Sequence, residues 1–363
     1  MAGLCYSGTI HRFGEGGFNM VAGVGIVQPY LIDPSQRVIR GRAAAGAPPV
    51  PLLRMRSGVE YYPLPCRTIL NRCASRVPKP FVWTINPYRG CQLGCVYCFA
   101  RYTHGFMDLH HWSDFERKIY VKQDAAAILR RDLARGIDPS EPIALATASD
   151  LYQPAERTFR VTRSLLEVFA EFRGLQISLA TKSDLMTRDI DLLTELSRRH
   201  RLRINISVTT PRLELARRLE PRAPTVAKRM EVLRALREAG LPAGVLIMPV
   251  LPCLTDSLED LDHLIRWAAD CSTGWVGAHS LWLRSSAAAR FYPFLQRHAP
   301  HLVERYRRCY DRHMHAPAIY REWLGQRIDA LREHHGIPET PSSGCDHATH
   351  RHSWTQPALF GLD

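Results

Sequence analysis

The feature that most constrains the fold is a regular alternation of short apolar runs and longer amphipathic segments between residues 81 and 283. The apolar runs have the length and continuity of strands buried on both faces: FVWTINP (81–87), PIALATA (142–148), LQISLAT (175–181), LRINISVTT (202–210), AGVLIMPV (243–250) and GWVGAHSLWL (274–283). The segments between them carry apolar residues at helical spacing: 124–135, 160–172, 187–200, 224–240 and 257–270. A strand–helix repeat of this kind needs right-handed crossovers, so it predicts an α/β fold with a parallel sheet.

Three of the ten cysteines lie close together in TINPYRGCQLGCVYCFARY (84–102), which contains the end of the first predicted strand. Cys91, Cys95 and Cys98 have the spacing C-x3-C-x2-C, and Gly90 and Gly94 let the backbone wrap tightly around a bound object. Structural zinc prefers four ligands, usually in two pairs, and no second pair with that spacing is present. An iron–sulfur cubane on three thiolates instead leaves one iron open for a substrate or cofactor.

A disulfide framework fits the cysteines less well than a metal cluster does. The ten cysteines are scattered over 363 residues, and the first residues lack a basic stretch followed by a continuous apolar stretch. No run reaches the roughly 18 apolar residues of a membrane span. We therefore expect the protein in the cytoplasm.

The cysteine stretch resembles the signature of the radical SAM superfamily, and Tyr97 before the last cysteine matches that pattern. In that family the loop binds a 4Fe-4S cluster whose fourth iron chelates S-adenosylmethionine (SAM). One electron then cleaves SAM to a 5′-deoxyadenosyl radical, which abstracts hydrogen from a substrate. The resemblance implies a partial (βα)6 TIM-like barrel, a radical SAM enzyme of lyase or oxidoreductase type, and an electron donor such as flavodoxin or ferredoxin.

Within the superfamily the chain is similar to the spore photoproduct lyase-related group over roughly residues 60 to 310. The stretches that carry this similarity are TINPYRGC, YCFAR, DLYQPAE, TKS, LEPRAPT and VLIMPVLPCLTDS. It looks like an uncharacterised branch of that group. The resemblance implies that the three cysteines are the cluster ligands and that Ser149, Lys182 and Ser207 contact SAM.

Residues leaving the predicted strands are further candidates, because ligands of such barrels sit at the carboxyl ends of strands. Ser149 and Asp150 either hydrogen-bond the SAM ammonium group or form a turn. Lys182 either pairs with the SAM carboxylate or reaches the barrel rim. The apolar run from Val245 to Met248 suits the adenine ring.

The fourth and sixth predicted strands also carry polar candidates. A period of two places Asn205, Ser207 and Thr209 on one face of the fourth strand, where a ribose, a methionine group or bound water would be their partner. The sixth strand ends near His279, Trp282 and Arg284, and we take Arg284 as a candidate catalytic residue.

One departure from the resemblance concerns the thiol that returns hydrogen to the product radical. True photoproduct lyases have a cysteine near the end of the second strand, where this chain reads LATASD. Repair of the thymine photoproduct would therefore need another thiol. Cys253 follows the fifth strand and is the candidate hydrogen donor, although most single cysteines are inert small apolar residues.

The charge of the chain bears on its substrate. Lys and Arg number 48 against 35 Asp and Glu, for a formal net charge of +13, and such a surface attracts polyanions. Arginines cluster at 198–203, 217–222 and 305–313, the last interleaved with tyrosines suited to stacking. A nucleic-acid lesion or a modified nucleotide is thus a candidate substrate. The alternative is a non-catalytic iron–sulfur or nucleic-acid-binding protein on a retained barrel.

The ends of the chain differ from the barrel in composition. We expect an irregular N-terminal extension at 1–75, the barrel at 76–288, C-terminal helices at 289–336 with a break at Pro317, and a polar flexible tail at 337–363. The tail ends in QPALFGLD, which resembles the short peptides that dock bacterial proteins onto the DNA sliding clamp. Gln356, Leu359 and Phe360 would make that contact.

Overall fold

The computed structural model of the chain describes residues 52–73 and 80–338. Its strands are Arg54–Arg56 (β1), Val59–Pro63 (β2), Asn71–Arg72 (β3), Trp83–Ile85 (β4), Tyr88–Arg89 (β5), Lys118–Val121 (β6), Ile143–Leu145 (β7), Gln176–Thr181 (β8), Arg201–Val208 (β9), Ala243–Val250 (β10) and Val276–Ser280 (β11).

Its helices are Tyr102–Gly105 (α1), Asp114–Arg117 (α2), Ala125–Ala134 (α3), Glu156–Phe159 (α4), Val161–Ala170 (α5), Ile190–Arg199 (α6), Leu213–Leu219 (α7), Val226–Glu238 (α8), Leu258–Asp270 (α9), Ser285–His298 (α10), Val303–Tyr310 (α11) and Ala318–His334 (α12). Short 3-10 turns lie at Phe99–Arg101, Asp184–Asp189 and Pro300–Leu302.

The main sheet contains the six predicted strands, and all six are parallel. Their spatial order is β4, β7, β8, β9, β10 and β11, which is also their order along the chain, and the short β3 adds antiparallel to the outer edge of β4. Between these strands the chain returns through helices that cover the sheet, with α3, α5, α6, α8 and α9 close to the predicted bounds. The prediction of an α/β fold of the partial TIM-like barrel type is confirmed.

Packing of the helices on the sheet follows the apolar spacing. Leu193 and Leu196 of α6 and Leu233 and Leu236 of α8 are completely buried. Each pair is three residues apart, so both side chains of a pair lie on one helix face. Gly174 and Gly240 have φ values of +79° and +73°, which lets the chain turn from a helix into the following strand.

The described part of the N-terminal segment is more regular than predicted. Residues 52–73 contain β1, β2 and β3, and a second, four-stranded sheet has the order β1, β2, β6, β5. The expectation of irregular backbone was wrong here because β2 pairs with β6, about sixty residues further along the chain. Pairing between strands so distant in the chain leaves only a weak local pattern.

The C-terminal helices are three rather than the two that the sequence predicts. The first predicted helix is split into α10 and α11 at Pro300, since the residue before a proline avoids helical backbone and Ala299 has φ −153°. Pro317 directly precedes α12, where a break was expected. Tyr306 and Tyr320 anchor these helices by hydrogen bonds to the Pro252 carbonyl at 2.8 Å and the Asp256 carboxylate at 2.9 Å.

Two observations bear on the remaining expectations about the ends of the chain. No helix in the described ranges is both long and apolar enough to cross a membrane. Gln356, Leu359 and Phe360 of the candidate clamp motif lie outside the described residues, as does the rest of the tail from residue 339.

Candidate active site

The three clustered cysteines lie in a tightly turned loop after β4 and β5, at the carboxyl end of the first parallel strand. Gly90 has φ +88°, and a Cβ there would stand 2.9 Å from the Lys118 carbonyl oxygen. Gly94 has φ +67° and lies against the side chains of Arg222 and Glu116. Both positions require glycine for backbone conformation and for space. The predicted tight wrap therefore has a specific steric cause.

The thiols of Cys91, Cys95 and Cys98 are free, with Cys91 and Cys95 buried and Cys98 half-buried, and Cys95 and Cys98 are close enough to Cys91 to act on it electrostatically. Burial raises the pKa of all three, that of Cys95 to about 12, and the neighbouring thiols raise the pKa of Cys91 and Cys95 further. Lys182 acts in the opposite direction on Cys95 and Cys98. Buried thiols are stable as thiolates only beside positive charge, which bound iron would supply.

A buried carboxylate, that of Glu116 in α2, holds this cysteine loop in place. Glu116 accepts a 2.6 Å hydrogen bond from Arg101, just after the loop, and a second one from Arg222. Arg101 also donates to the Cys95 carbonyl at 2.8 Å, and Arg222 donates to the Gln92 carbonyl. Two guanidinium groups thus join one carboxylate to two carbonyls of the loop.

Gln153 holds the loop from the other side. Its side-chain oxygen accepts from the Gln92 backbone N–H at 3.0 Å, and its amide nitrogen donates to the Gly90 carbonyl at 3.0 Å. The Gln92 N–H and the Gly90 carbonyl have no partner in a helix or strand, and the buried side chain of Gln153 supplies the hydrogen bonds for both.

Tyr97 connects the loop to the end of β9. Its hydroxyl lies 3.0 Å from the Thr209 hydroxyl and donates to the carboxylate of Glu220. Glu220 is buried and also binds Arg229 at 2.5 Å. Burial would raise the pKa of Glu220, but Arg229 and Lys182 outweigh it and lower the pKa. Tyr97 was predicted to bind the cofactor, but its hydroxyl contacts Thr209 and Glu220 of the protein itself.

Lys182 emerges directly after β8 on the inner side of the sheet. Its Nζ donates a 2.8 Å hydrogen bond to the Ser207 hydroxyl, which donates onward to the Met248 carbonyl at 3.3 Å. Three of the predicted cofactor contacts, Lys182, Ser207 and Met248, are therefore joined into one chain of contacts. Lys182 is close enough to lower the pKa of the Cys95 and Cys98 thiols, so this chain borders the cysteine loop.

Ser149 and Asp150 follow β7 and differ in what they can offer a ligand. Both carboxylate oxygens of Asp150 accept from the protein itself: Oδ1 from Thr181 at 2.6 Å and from Tyr152 N–H at 2.9 Å, and Oδ2 from Lys182 N–H at 2.8 Å. The Ser149 hydroxyl is buried and has no hydrogen-bond partner among the described residues. Ser149 is therefore the better placed of the two for an added hydrogen bond.

The inner faces of β9 and β10 follow strand alternation. Asn205 and Ser207 pair with Gly244 and Leu246, so these residues share one face with Met248. Val245 and Ile247 lie on the other face, against the helices, which corrects the expectation that the whole run from Val245 to Met248 faces adenine. The side-chain oxygen of Asn205 already accepts a hydrogen bond from the indole N–H of Trp275 at 3.0 Å.

Three aromatic residues and one arginine, here called the aromatic group, lie beyond the end of β11. The ring centroid of Trp282 is 5.1 Å from that of Phe99, next to Cys98, and the guanidinium of Arg284 stands 4.1 Å above the ring of Tyr102. The indole N–H of Trp282 and Nη1 of Arg284 are buried without a partner among the described residues. His279, also expected here, hydrogen-bonds the Ser280 carbonyl at 2.6 Å.

Cys253 has neighbours on the C-terminal helices. Burial raises its pKa to about 11, the negative charge of Asp256 adds to this effect, and Arg305 opposes it. Cys309 of α11 is another neighbour. The candidate hydrogen donor therefore lies against α11, and it is not among the groups that shift the pKa of Cys91, Cys95 or Cys98.

The tyrosines of the third arginine cluster are not available for stacking with a ligand. Tyr306 and Tyr310 are buried, because they lie four residues apart on the inner face of α11. Arg307 and Arg308 of that helix are exposed, and Arg307 stands 5.9 Å above the ring of Tyr292.

Sequence reasoning missed the residues that support the loop. Arg101, Gln153, Glu220 and Arg222 all fall inside stretches that carried the resemblance, YCFAR, DLYQPAE and LEPRAPT, but no role was assigned to them. Glu116 lies outside those stretches. Its position beside the loop is visible only once α2 is folded against it.

The donor set fits a cluster better than a single metal ion. No group of three or more His, Cys, Asp and Glu side chains in 52–73 and 80–338 is arranged around one ion. In a cubane each thiolate binds a different iron, so the three thiols need not converge on one point. Three free thiols on one enclosed loop, with a lysine beside them, satisfy that requirement.

Comparisons with known proteins agree with this geometry. The family model described as the radical SAM superfamily matches residues 85–268. The chain is 36% identical over 274 residues to the uncharacterised protein Rv2578c of Mycobacterium tuberculosis, covering 76% of this chain and 80% of that protein. It is 29% identical over 174 residues to the uncharacterised protein MJ0683 of Methanocaldococcus jannaschii, covering 48% and 62%.

Solved structures with a similar fold include spore photoproduct lyase. The structure of that lyase complexed with dinucleoside spore photoproduct has a TM-score of 0.56 at 14% identity, covering 76% of this chain and 79% of the lyase chain. A mutant of the lyase solved with bound AdoMet and the same dinucleoside also has a TM-score of 0.56, covering 71% and 75%. At this identity the likeness concerns the fold.

Proposed function

The chain belongs to the radical SAM superfamily and therefore uses a 4Fe-4S cluster and SAM, and we propose that Cys91, Cys95 and Cys98 hold that cluster. The observation that carries the proposal is the enclosure of three free thiols in one loop at the carboxyl end of β4. The bound cluster supplies the electron that splits SAM reductively, and the chemistry that follows is hydrogen abstraction from a substrate.

The residues of the chain would bind and orient SAM beside that loop. Lys182 would offer its ammonium group to the SAM carboxylate, and Ser207 would keep the lysine side chain directed inward through its 2.8 Å hydrogen bond. The unpartnered Ser149 hydroxyl would accept from the SAM ammonium group. Leu246 and Met248 share the inner face and would contact the apolar parts of the cofactor.

A nucleotide is the substrate class that the aromatic group beyond β11 supports. Phe99 presents a half-buried ring next to Cys98, and Trp282 and Arg284 each carry a buried donor without a partner in the described part of the chain. A flipped base offers both a π-face for stacking and acceptor oxygens for those donors. The formal net charge of +13 favours a polyanion as the partner.

The thymine photoproduct itself is a poorer candidate than another modified nucleotide. The stretch after β7 contains no thiol, and Cys253 lies against α11. A product radical in the barrel would therefore lack the nearby cysteine that returns a hydrogen atom in photoproduct lyases. The reaction would need an electron donor such as flavodoxin or ferredoxin, as found in the cytoplasm.

The test is reductive cleavage of SAM by the reconstituted protein. Protein reconstituted anaerobically with iron and sulfide should bind a 4Fe-4S cluster, and dithionite with SAM should yield 5′-deoxyadenosine even without a substrate. A Cys91→Ala/Cys95→Ala/Cys98→Ala triple variant, treated identically, is the matched control. A stable cluster without SAM cleavage would favour the non-catalytic iron–sulfur protein and contradict the proposal.

A further inference from the structure

The second sheet carries two cations and two tyrosines on one face, close to the cysteine loop. Arg89 of β5 pairs with Tyr120 of β6, and the Lys122 N–H donates to the Pro87 carbonyl at 3.2 Å, which continues the same register. Because side chains alternate along a strand, Arg89, Tyr120 and Lys122 point to the same face. Tyr62 of the neighbouring strand β2 stacks on Tyr120 with 5.4 Å between ring centroids.

Neither cation has an acceptor within the described ranges. Lys122 is only 8% exposed, and no hydrogen bond or ion pair joins its ammonium group to another residue there, although the nitrogen itself is not fully buried. Nη1 of Arg89 is fully buried without a partner. Burial lowers the pKa of Lys122 to about 8, Cys66 partly opposes this, and the charge of Arg89 lowers it further. Buried charges are normally paired, so two neighbouring unpaired cations call for an anion.

The nearby carboxylates are already engaged elsewhere. Asp132 accepts from the Thr68 hydroxyl at 2.6 Å and from the Ile69 N–H at 2.9 Å, and Asp114 pairs with Lys118 at 3.0 Å. Glu60 accepts from the Tyr62 hydroxyl. None of these three carboxylates forms an ion pair with Arg89 or Lys122 within the described ranges.

We propose that Arg89 and Lys122 together bind a phosphate group on this face of the second sheet. A guanidinium fork and an ammonium group are donors that proteins commonly use for phosphate oxygens. Tyr62 and Tyr120 lie on the same face and add ring edges beside the site, and Tyr120 also adds a hydroxyl, whereas the Tyr62 hydroxyl donates to Glu60. The ligand is either inorganic phosphate or the phosphate of a nucleotide.

The position favours a phosphate that belongs to a larger ligand. Arg89 is two residues before Cys91, and Tyr102 neighbours both Arg89 and the guanidinium of Arg284. A nucleotide whose base reaches Trp282 and Arg284 would carry its backbone past Tyr102 toward Arg89. This source of the phosphate rests on the proposed function, whereas phosphate binding itself can be measured without SAM or a reductant.

The experiment measures phosphate binding by the anaerobically reconstituted protein. Calorimetric titration and thermal unfolding are run with sodium phosphate and, separately, with a 5′-phosphorylated thymidine dinucleotide, at constant ionic strength set by chloride. The variants are Lys122→Met, which keeps most of the side-chain volume, and Lys118→Met, at the other end of β6, as the matched control. Cluster absorbance is recorded for each protein to show that the cysteine loop is intact.

We expect saturable binding and a raised Tm for the wild type, and at least a tenfold loss of affinity in Lys122→Met. In phosphate-free buffer Lys122→Met should unfold at the same or a higher temperature than the wild type, because it removes an unpaired buried charge. Lys118→Met should bind like the wild type. Tighter binding of the dinucleotide than of inorganic phosphate would identify a nucleotide as the source, and equal binding would identify the free anion.

Two results would overturn the proposal. One is the absence of saturable binding of both ligands to the wild type. The other is destabilised Lys122→Met in phosphate-free buffer together with an unchanged response to phosphate. That second result would mean that Lys122 pairs with a carboxylate from a part of the chain outside the described residues. A protein that binds phosphate but does not cleave SAM would uphold this site and contradict the proposed reaction alone.

Discussion

Lys182 and Ser207 are joined by a 2.8 Å hydrogen bond from Nζ to Oγ across neighbouring strands on the inner side of the barrel. The bond fixes the direction of a long, flexible side chain, and it does so without neutralising its charge. Among the described residues no carboxylate forms a salt bridge with this ammonium group, so its charge is available to a ligand carboxylate beside the cysteine loop.

Loss of Lys182 should therefore weaken SAM binding and leave the cluster intact. We expect Lys182→Met to lower SAM affinity about ten- to a hundredfold, since a charge-assisted hydrogen bond contributes about 1.5–3 kcal/mol. Equilibrium binding to the reconstituted protein measures the change, and the surface variant Lys228→Met is the matched control. Wild-type affinity for SAM in Lys182→Met would contradict this role and favour the alternative, in which the lysine reaches the rim of the barrel.

Each of the three clustered cysteines should be needed for the cluster. Cys91→Ala, Cys95→Ala and Cys98→Ala should each lose the 4Fe-4S absorbance and SAM cleavage, because each supplies one thiolate and the loop holds no spare thiol. Iron and sulfide content and the visible spectrum are measured after anaerobic reconstitution. Cys309→Ala, a free cysteine of α11, should keep the full cluster. A complete cluster in any of the first three variants would contradict the ligand assignment.

His104 should make stability depend on pH in the mildly acidic range. Burial lowers the pKa of His104 to about 4, although its bond to the Lys118 carbonyl opposes the shift. As pH falls below about 6.5, His104 binds a proton in the unfolded chain but stays neutral in the folded protein. The free energy of unfolding therefore decreases until pH about 4. Between pH 7 and pH 5 this linkage amounts to about 2 kcal/mol.

The variant His104→Gln should remove that pH dependence, because glutamine can still donate to the Lys118 carbonyl but does not titrate. Urea unfolding of the cluster-free protein at several pH values gives the free energy of unfolding for both proteins. The exposed residue His301 provides the control His301→Gln, which should keep the wild-type profile. Parallel pH profiles for wild type and His104→Gln would show that His104 does not contribute.

The tail should bind a bacterial sliding clamp if the resemblance of QPALFGLD to clamp-binding peptides is functional. Gln356 would hydrogen-bond the rim of a pocket, and Leu359 and Phe360 would fill its apolar floor. A fluorescence titration of a peptide covering residues 353–363 against a clamp should show saturable micromolar binding. A peptide with Leu359→Ala and Phe360→Ala should lose it. Equal binding of the two peptides, or no saturation by either, would refute the interaction.

The sequence by itself determined the elements whose pattern is local. The six parallel strands and the helices between them follow from apolar spacing over a few residues, because each element buries a face set by its own geometry. The cysteine loop was equally readable, since Gly90, Gly94 and the three thiols lie within nine positions. The alternation along β9 also placed Asn205 and Ser207 on one face before any contact was known.

Only the tertiary structure decided which distant residues support that loop and which candidates reach it. Glu116 and Arg222 are 106 positions apart, and no local periodicity relates them. Pairing of β2 with β6 likewise joins distant segments, and pairing of β5 with β6 brings Arg89 and Lys122 together without an acceptor among the described residues. Tyr306 and Tyr310 were chosen for their chemistry, but the packing of α11 buries both rings, and Cys253 lies against the same helix. Side-chain direction depends on which surfaces a helix buries, and that is settled by the whole fold rather than by neighbouring residues.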